Sequence, residues 1–340
     1  MKYLITGGCG FLGSNIASAL IIEDAHEVHV MDNLSRHGSE SNLKWLQEQG
    51  KIKFTYGDIR NPDDCNQLVN KFQPDIIFHL AGQVAMTTSL TNPRLDFNVN
   101  ALGTLNILEA VRIHCSSAAV IYSSTNKVYG DLEYLNYTEE DLRYSLTDYP
   151  LGIPENFSLD FHSPYGCSKG SADQYILDYA RMFGLKTVVF RHSSMYGNRQ
   201  FSTSEQGWIG WFCEQAVRQS MGDKRIFTIS GNGKQVRDVL HSTDMVELYL
   251  SAARQINNVS GSAFNIGGGM KNSLSILELM NILENNVKTK LLWEHIPTRE
   301  SDQRVFVADL TQIEKRINWS PKIEKIDGVE RMINWVKTIY

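Results

Sequence analysis

The sequence predicts an α/β fold, a doubly wound parallel sheet with a smaller, interleaved C-terminal lobe. Two observations carry that expectation. Short β-branched and aromatic runs alternate with amphipathic stretches through about the first 190 residues, the pattern that parallel strands joined by helical crossovers impose. A glycine-rich turn, TGGCGFLG (6–13), connects the first such run to the first helical stretch, and junctions of that kind are where open parallel sheets hold ligands.

The strands follow in order. YLIT (3–6), EVHVMD (27–32), KIKFTYGD (51–58), DIIFHLA (75–81), AAVIYSS (118–124) and KTVVFRH (186–192) are short runs with many Val, Ile and aromatic residues, side chains that suit a pleated, buried surface. Helical periodicity fills the gaps, most clearly in LNILEAVRIH (105–114) and SADQYILDYARMF (171–183), where apolar residues return every three or four positions. Beyond 193 the rhythm loosens around the turns GNGK (231–234) and GGG (267–269). Residues 1–192 are therefore expected to form the main sheet domain, to which 236–260 returns as a strand and a helix. Residues 193–235 and 261–340 are expected to form the smaller lobe.

Composition excludes several function classes. At 340 residues, 42% hydrophobic and 21% charged, the chain is an ordinary globular protein. A net charge of −5 with no basic stripe lacks the electrostatic footprint of a nucleic-acid partner. Too few apolar residues precede the first glycines for a signal-peptide core, and no apolar run reaches the length of a membrane helix, so no membrane partner is expected. Cys9, Cys65, Cys115, Cys167 and Cys213 are odd in number, scattered and form no CxxC, which reads as a reduced, cytoplasmic protein. His26 and His29 fall in a strand-like stretch, where positions i and i+3 face opposite sides. No metal site is expected.

The glycines at 7, 10 and 13 have separable roles: the first permits a tight turn, the second lets backbone approach a pyrophosphate, and the third lets helix pack on strand. Exposed N–H groups at the helix start, over Phe11, Leu12 and Gly13, then suit a diphosphate. An acid lies 19 residues beyond Gly13, at Asp32, ending the second strand. A carboxylate there accepts hydrogen bonds from ribose hydroxyls and repels a 2′-phosphate. The cofactor expected is a dinucleotide, NAD over NADP, on a Rossmann-type domain; Arg36 pulls the other way, since a basic residue nearby also suits a 2′-phosphate.

The TGxxGxxG spacing resembles that of extended short-chain dehydrogenases/reductases, the NAD-dependent epimerase/dehydratase family. The likeness continues through HLAGQ (79–83), NVNALGTLN (98–106), YSSTNKVYG (122–130), YGCSK (165–169), QVRDVLH (235–241) and PTRESDQR (297–304). It implies that Asn33 and Ser35 join Asp32 and Arg36 around the adenosine ribose, and that Asp58 and Ile59 flank the adenine. It also places Leu80, Ala81, Gln83, Asn100, Ser123 and His192 along the cofactor groove.

Tyr165 and Lys169 lie four residues apart, on one face of the helix that follows the fifth strand. A free phenol titrates near 10 and is a poor base at neutral pH. A nearby ammonium and a positive nicotinamide ring stabilise phenolate and bring it toward working pH. Lys169 can also bond the nicotinamide ribose. By resemblance Thr125 is the hydroxyl that shares the substrate proton, which makes Thr125, Tyr165 and Lys169 the expected catalytic set.

Residues after the threonine separate branches of the family. The 4,6-dehydratases carry an Asp-Glu pair there, and this chain has Asn126 and Lys127. Without that acid–base pair, oxidation followed by reduction from the opposite face is what remains: an epimerase. Arg237 and Arg299 match the two arginines that grip the diphosphate in sugar epimerases, where guanidinium forks suit phosphate oxygens. Gln83, Thr125, Asn126 and Ser194 are the other expected substrate contacts. Ser194 stands where the family usually has asparagine, and the shorter side chain makes room.

The strings STNKVYGDLE, LDFHSPYGCSKG, VFRHSSMYG, SGNGKQVRDVLH and RESDQRVFVAD resemble a narrower branch that epimerises CDP-bound 3,6-dideoxyhexoses of bacterial O-antigen at C2. That resemblance implies a CDP-sugar substrate, tightly held NAD and a homo-oligomer, tetramer or dimer. Another nucleotide-sugar epimerase or reductase, such as a 4-epimerase, and a non-catalytic dinucleotide sensor are the alternatives. Residue chemistry alone stops at an NAD-dependent nucleotide-sugar epimerase.

Overall fold

Alternating strands and helices build the first half of the molecule, and the computed structural model describes residues 1–23, 26–299 and 302–340. The order is β1 (Lys2–Thr6), α1 (Phe11–Ile22), β2 (Glu27–Asp32), α2 (Ser39–Gln49), β3 (Lys53–Tyr56), α3 (Pro62–Phe72) and β4 (Ile76–His79). Two short helices, α4 (Met86–Thr91) and α5 (Pro93–Phe97), lead through a π-helical turn (Asn98–Leu102) into α6 (Gly103–His114) and β5 (Ala119–Thr125). The hairpin β6 (Tyr137–Glu139) and β7 (Tyr144–Leu146) precedes α7 (Ser163–Phe183) and β8 (Lys186–His192).

The second half continues with β9 (Ser194–Tyr196), α8 (Trp208–Ser220), β10 (Phe227–Ser230), β11 (Val236–His241), α9 (Ser242–Arg254), α10 (Ile256–Val259) and β12 (Ser262–Ile266). It closes with β13 (Ser273–Ser275), α11 (Ile276–Val287), β14 (Trp293–Ile296), β15 (Val305–Phe306), α12 (Thr311–Ile317) and α13 (Lys325–Lys337).

Seven strands form one parallel sheet in the order β12-β8-β5-β4-β1-β2-β3. Both faces are covered, which is why the strands read as nearly continuous apolar runs. On β1, Tyr3 and Ile5 enter one core while Leu4 enters the other. A third core, around Phe212, Phe227, Leu283 and Met332, belongs to the C-terminal lobe.

One expectation about organisation changes. The strand at 236–241 does not return to the main sheet; β11 pairs with β9, β13 and β15 in a separate four-stranded sheet of the lobe. Only its following helix returns, with α9 packing on α1. The seventh strand of the main sheet is β12, which lies beyond residue 260 and pairs with β8. It is a five-residue run opened by Ser260-Gly261, with Gly261 at φ +73°, so in sequence it reads as part of a turn. Among the described residues no helix is long and apolar enough to cross a membrane, and no cluster of side chains could hold a metal ion. All five cysteines are free thiols, and four of them are buried.

Candidate active site

A cleft of about 450 Å³ runs over the carboxyl ends of β1, β2 and β4. Gly7 sits at φ +69°, and a Cβ there would lie 2.6 Å from the main-chain nitrogen of Ala81. A Cβ on Gly13 would lie 2.4 Å from the carbonyl of Gly7, whereas at Gly10 nothing comes closer than 3.1 Å. Backbone crowding at 7 and 13 fixes the turn against β1, and Gly10 stays open toward the cleft. The first turn of α1 has no side-chain cap, so the N–H groups at its start are available to an anion.

Asp32 and Asp58 line the cleft at the carboxyl ends of β2 and β3. Asp32 is buried and accepts hydrogen bonds from the main-chain nitrogens of Cys9 (2.9 Å) and Leu34 (2.8 Å). Burial raises its carboxyl above the usual range, and those N–H groups oppose the rise. Burial also pushes Asp58 up, but the Arg60 guanidinium and the Asn33 amide outweigh it and hold the carboxyl down at about 2. Arg60 thus belongs to the same end of the cleft, with Nη2 2.6 Å from Asp58. Ser35, Arg36, Ile59, Leu80, Ala81, Gln83 and Ser123 also line the cleft. These residues fit a dinucleotide: an uncapped helix start, open backbone at Gly10, and a buried carboxylate at the end of β2.

The three catalytic candidates meet beyond the Ser123 end. Thr125 ends β5, and its hydroxyl lies close enough to the Tyr165 phenol, in the first turn of α7, to oppose the rise in that phenol's pKa. Both Tyr165 and Lys169 are buried. The Lys169 ammonium donates to the carbonyl of Ser123 at 2.5 Å and lies 4.3 Å from the centre of the Tyr122 ring. Burial pushes the phenol up to about 12; Thr125 opposes that rise and the charge of Asp96 adds to it. Burial brings Lys169 down to about 7, against the pull of Asp173 and Asp96. The protein's own groups therefore set an acidic amine one helical turn from a weakly acidic phenol.

On the lobe side, Arg237 donates to Asp302 at 2.6 Å and Lys127 lies 3.9 Å from the same carboxylate oxygen. Asn126 donates to Gln303 at 2.7 Å. Arg299 is exposed, and its Nη2 donates to the carbonyl of Ser204 at 2.9 Å; the adjoining Glu300 and Ser301 of the same motif lie outside the described residues. Ser194 accepts a hydrogen bond from the Trp208 indole at 2.9 Å, so its hydroxyl already has a partner.

A family profile described as GDP-mannose 4,6 dehydratase matches residues 4–332. The chain belongs to that family. It is 58% identical over 339 residues, all of both chains, to the CDP-paratose 2-epimerase of Salmonella typhi. Its fold superposes with a TM-score of 0.84 on the UDP-glucose 4-epimerase of Thermotoga maritima with UDP-glucose, at 28% identity over 100% of this chain and 99% of that one. UDP-glucuronic acid 4-epimerase from Bacillus cereus, in complex with UDP-glucuronic acid and NAD, gives 0.85 at 25% identity over the whole of both chains.

Although the GDP-mannose 4,6 dehydratase family takes its name from an elimination, the positions after Thr125 hold no carboxyl pair in this member. Asn126 and Lys127 are engaged instead with Gln303 and Asp302 of the lobe. Asn100 and His192 are each tied to other groups of the protein. Asn100 is buried with its amide turned inward, accepting from the Gln83 nitrogen and donating to the Gln83 carbonyl and to Ser168. His192 is buried against Tyr249, with Nε2 2.8 Å from the phenol oxygen. Each therefore supports the groove from behind. Conversely, Arg199, Gln200 and Phe201 line the cleft, although nothing local in GNRQF marks them as residues of a site. They arrive there because the chain after β9 crosses back over α2.

Proposed function

We propose that this protein is an NAD-dependent nucleotide-sugar 2-epimerase, an isomerase that converts CDP-paratose to CDP-tyvelose for O-antigen (lipopolysaccharide) synthesis. The observation that carries the reading is 58% identity over the full length of the CDP-paratose 2-epimerase of Salmonella typhi. The same Thr–Tyr–Lys geometry serves that chemistry, and no carboxyl pair follows Thr125 to drive elimination.

When bound, NAD supplies the hydride acceptor and donor and a positive ring that favours phenolate. Gly10, the first turn of α1 and Asp32 would hold its diphosphate and adenosine ribose. Tyr165, as its phenolate, takes the C2 hydroxyl proton to become the phenol and returns it after the sugar has turned, with Thr125 sharing the hydrogen bond. Lys169, anchored on the Ser123 carbonyl, holds positive charge beside the reacting oxygen. Arg237 and Arg299 hold the substrate diphosphate while the hexose ring presents its other face, and the buried site shields the 2-keto sugar from water.

A cytoplasmic homo-oligomer, tetramer or dimer, belongs to the same reading. Its support is the set of free thiols and an apolar stripe on α7, where Tyr175 and Met182 lie exposed seven residues apart. The test is CDP-paratose deuterated at C2. CDP-tyvelose should form with the label retained and no NAD added. Loss of label to solvent, or a need for stoichiometric external NAD, would overturn the epimerase.

A further inference from the structure

Asp96, in α5, is wholly buried, and none of the chemistry above uses it. One carboxylate oxygen accepts from Nε2 of Gln83 at 2.7 Å and from Nδ2 of Asn100 at 3.3 Å. The other accepts from the hydroxyl of Ser168. Gln83 lines the cleft, Asn100 holds the Gln83 main chain, and Ser168 immediately precedes Lys169 on α7. Among the described residues no cation lies within ion-pair distance of this carboxylate, and its hydrogen bonds come from neutral groups.

A charge buried in that way is poorly screened and acts on its neighbours beyond hydrogen-bonding range. The ionisable groups that feel it are Tyr165 and Lys169 on α7 and Tyr122 on β5. Lys169 is also faced by Asp173, which is ion-paired with Arg191 at 2.9 Å, and by His79 and His192. Tyr165 also feels the Thr125 hydroxyl, which acts against the burial of the phenol. Burying a carboxylate costs more than an apolar side chain of its size would, so its place between two parts of the site calls for a role.

We propose that Asp96 is a positioning residue of the epimerase site, a buried negative charge held against the turn of α7 that carries Tyr165 and Lys169 through Ser168, whose hydroxyl also meets the Tyr165 carbonyl. Its hydrogen bonds lock the Gln83 loop to the start of α7. The inference rests on the proposed function for the roles of Tyr165 and Lys169. The negative charge disfavours phenolate and favours ammonium. It thus keeps the proton on the phenol and the charge on the lysine until a cationic partner tips the balance.

The test is Asp96→Asn, which removes the charge and keeps the shape. Its amide can present oxygen to Gln83 and Asn100 and donate to Ser168. Incorporating 3,5-difluorotyrosine at position 165 brings the phenol into an accessible titration range, and the fluorine NMR shift reads that one group without substrate. Titration of the phenol in the Asp96→Asn protein should fall by about one unit, the size of effect a nearby like charge produces. The ascending limb of the holoenzyme pH–rate profile should move the same way. Ser168→Ala, which removes a hydrogen bond and keeps the charge, should leave the phenol titration in place. Should Asp96→Asn fail to fold, Asp96→Ser removes the same charge and must give the same shift. An unmoved titration in a folded variant that retains NAD overturns the proposal. Failure of the parent protein to turn over CDP-paratose would instead sink the function, and the fluorine titration would still judge Asp96.

Discussion

Nε of Arg199 donates a hydrogen bond to Oδ1 of Asn42 at 2.8 Å, across 157 residues of chain. Nη2 reaches the carbonyl of Ser41 at 3.0 Å, and the guanidinium lies 4.7 Å from the centre of the Trp45 ring. Arg199 holds φ +69° to do this, a conformation that costs a non-glycine residue about 1–3 kcal/mol. The contact straps the segment after β9 onto α2 and brings Gln200 and Phe201 over the cleft.

Arg199→Ala should therefore loosen cofactor retention. Of the two hydrogen bonds the guanidinium makes, loss of even one charge-assisted bond, about 1.5–3 kcal/mol, corresponds to dissociation faster by roughly tenfold or more. Bound NAD per chain after gel filtration measures it. An unchanged NAD content would show that the strap does not close the cleft.

Tyr165→Phe keeps the ring in its packing and deletes only the proton carrier. Turnover should drop by roughly 10²–10⁴-fold, the usual worth of a placed acid–base group, with NAD content and CDP affinity nearly unchanged. Activity within about threefold of the parent would fall far below that range and would remove the phenol from the mechanism.

Arg237 is half-buried and paired with Asp302, while Arg299 is exposed on the Ser204 carbonyl. Replacing either with alanine should weaken binding of the CDP-sugar by about 1.5–3 kcal/mol and leave NAD affinity as it was. Titration calorimetry with each ligand separates the two. Equal losses for both ligands would mean that these arginines support the fold instead.

Asp238 is fully buried, with Oδ2 accepting from the nitrogens of Gly269 (3.0 Å) and Ala308 (3.2 Å) and Oδ1 without a partner among the described residues. Burial pushes its carboxyl up to about 6, above the value in an unfolded chain. The folded state then binds its proton more tightly, so this group's contribution is fully present below the unfolded pKa and is lost as pH rises through about 6. Asp238→Asn removes that loss. Relative to the parent it should gain stability on going from about pH 5 to about pH 8, by an amount on the order of 1 kcal/mol. Calorimetric unfolding at the two pH values checks the sign, and a gain that shrinks with pH would contradict it.

Much of this site was legible in the chain because its chemistry is local. Gly7, Gly10 and Gly13 are required by backbone geometry within one turn, Asp32 by its place at the end of a strand, and Tyr165 and Lys169 by the pitch of one helix. Six of the seven main strands declared themselves as runs between turns, because a strand covered on both faces must be apolar throughout. The tertiary structure alone decided what those runs meet. It made the short β12, and not β11, the seventh strand, turned Asn100 and His192 inward, and carried Arg199 and Phe201 onto a helix more than 150 residues earlier. It also gathered Gln83, Asn100 and Ser168 around the buried carboxylate of Asp96. Periodicity reports that a face is buried but not against what, since the partner of a buried side chain is chosen by the packing of the whole chain at once.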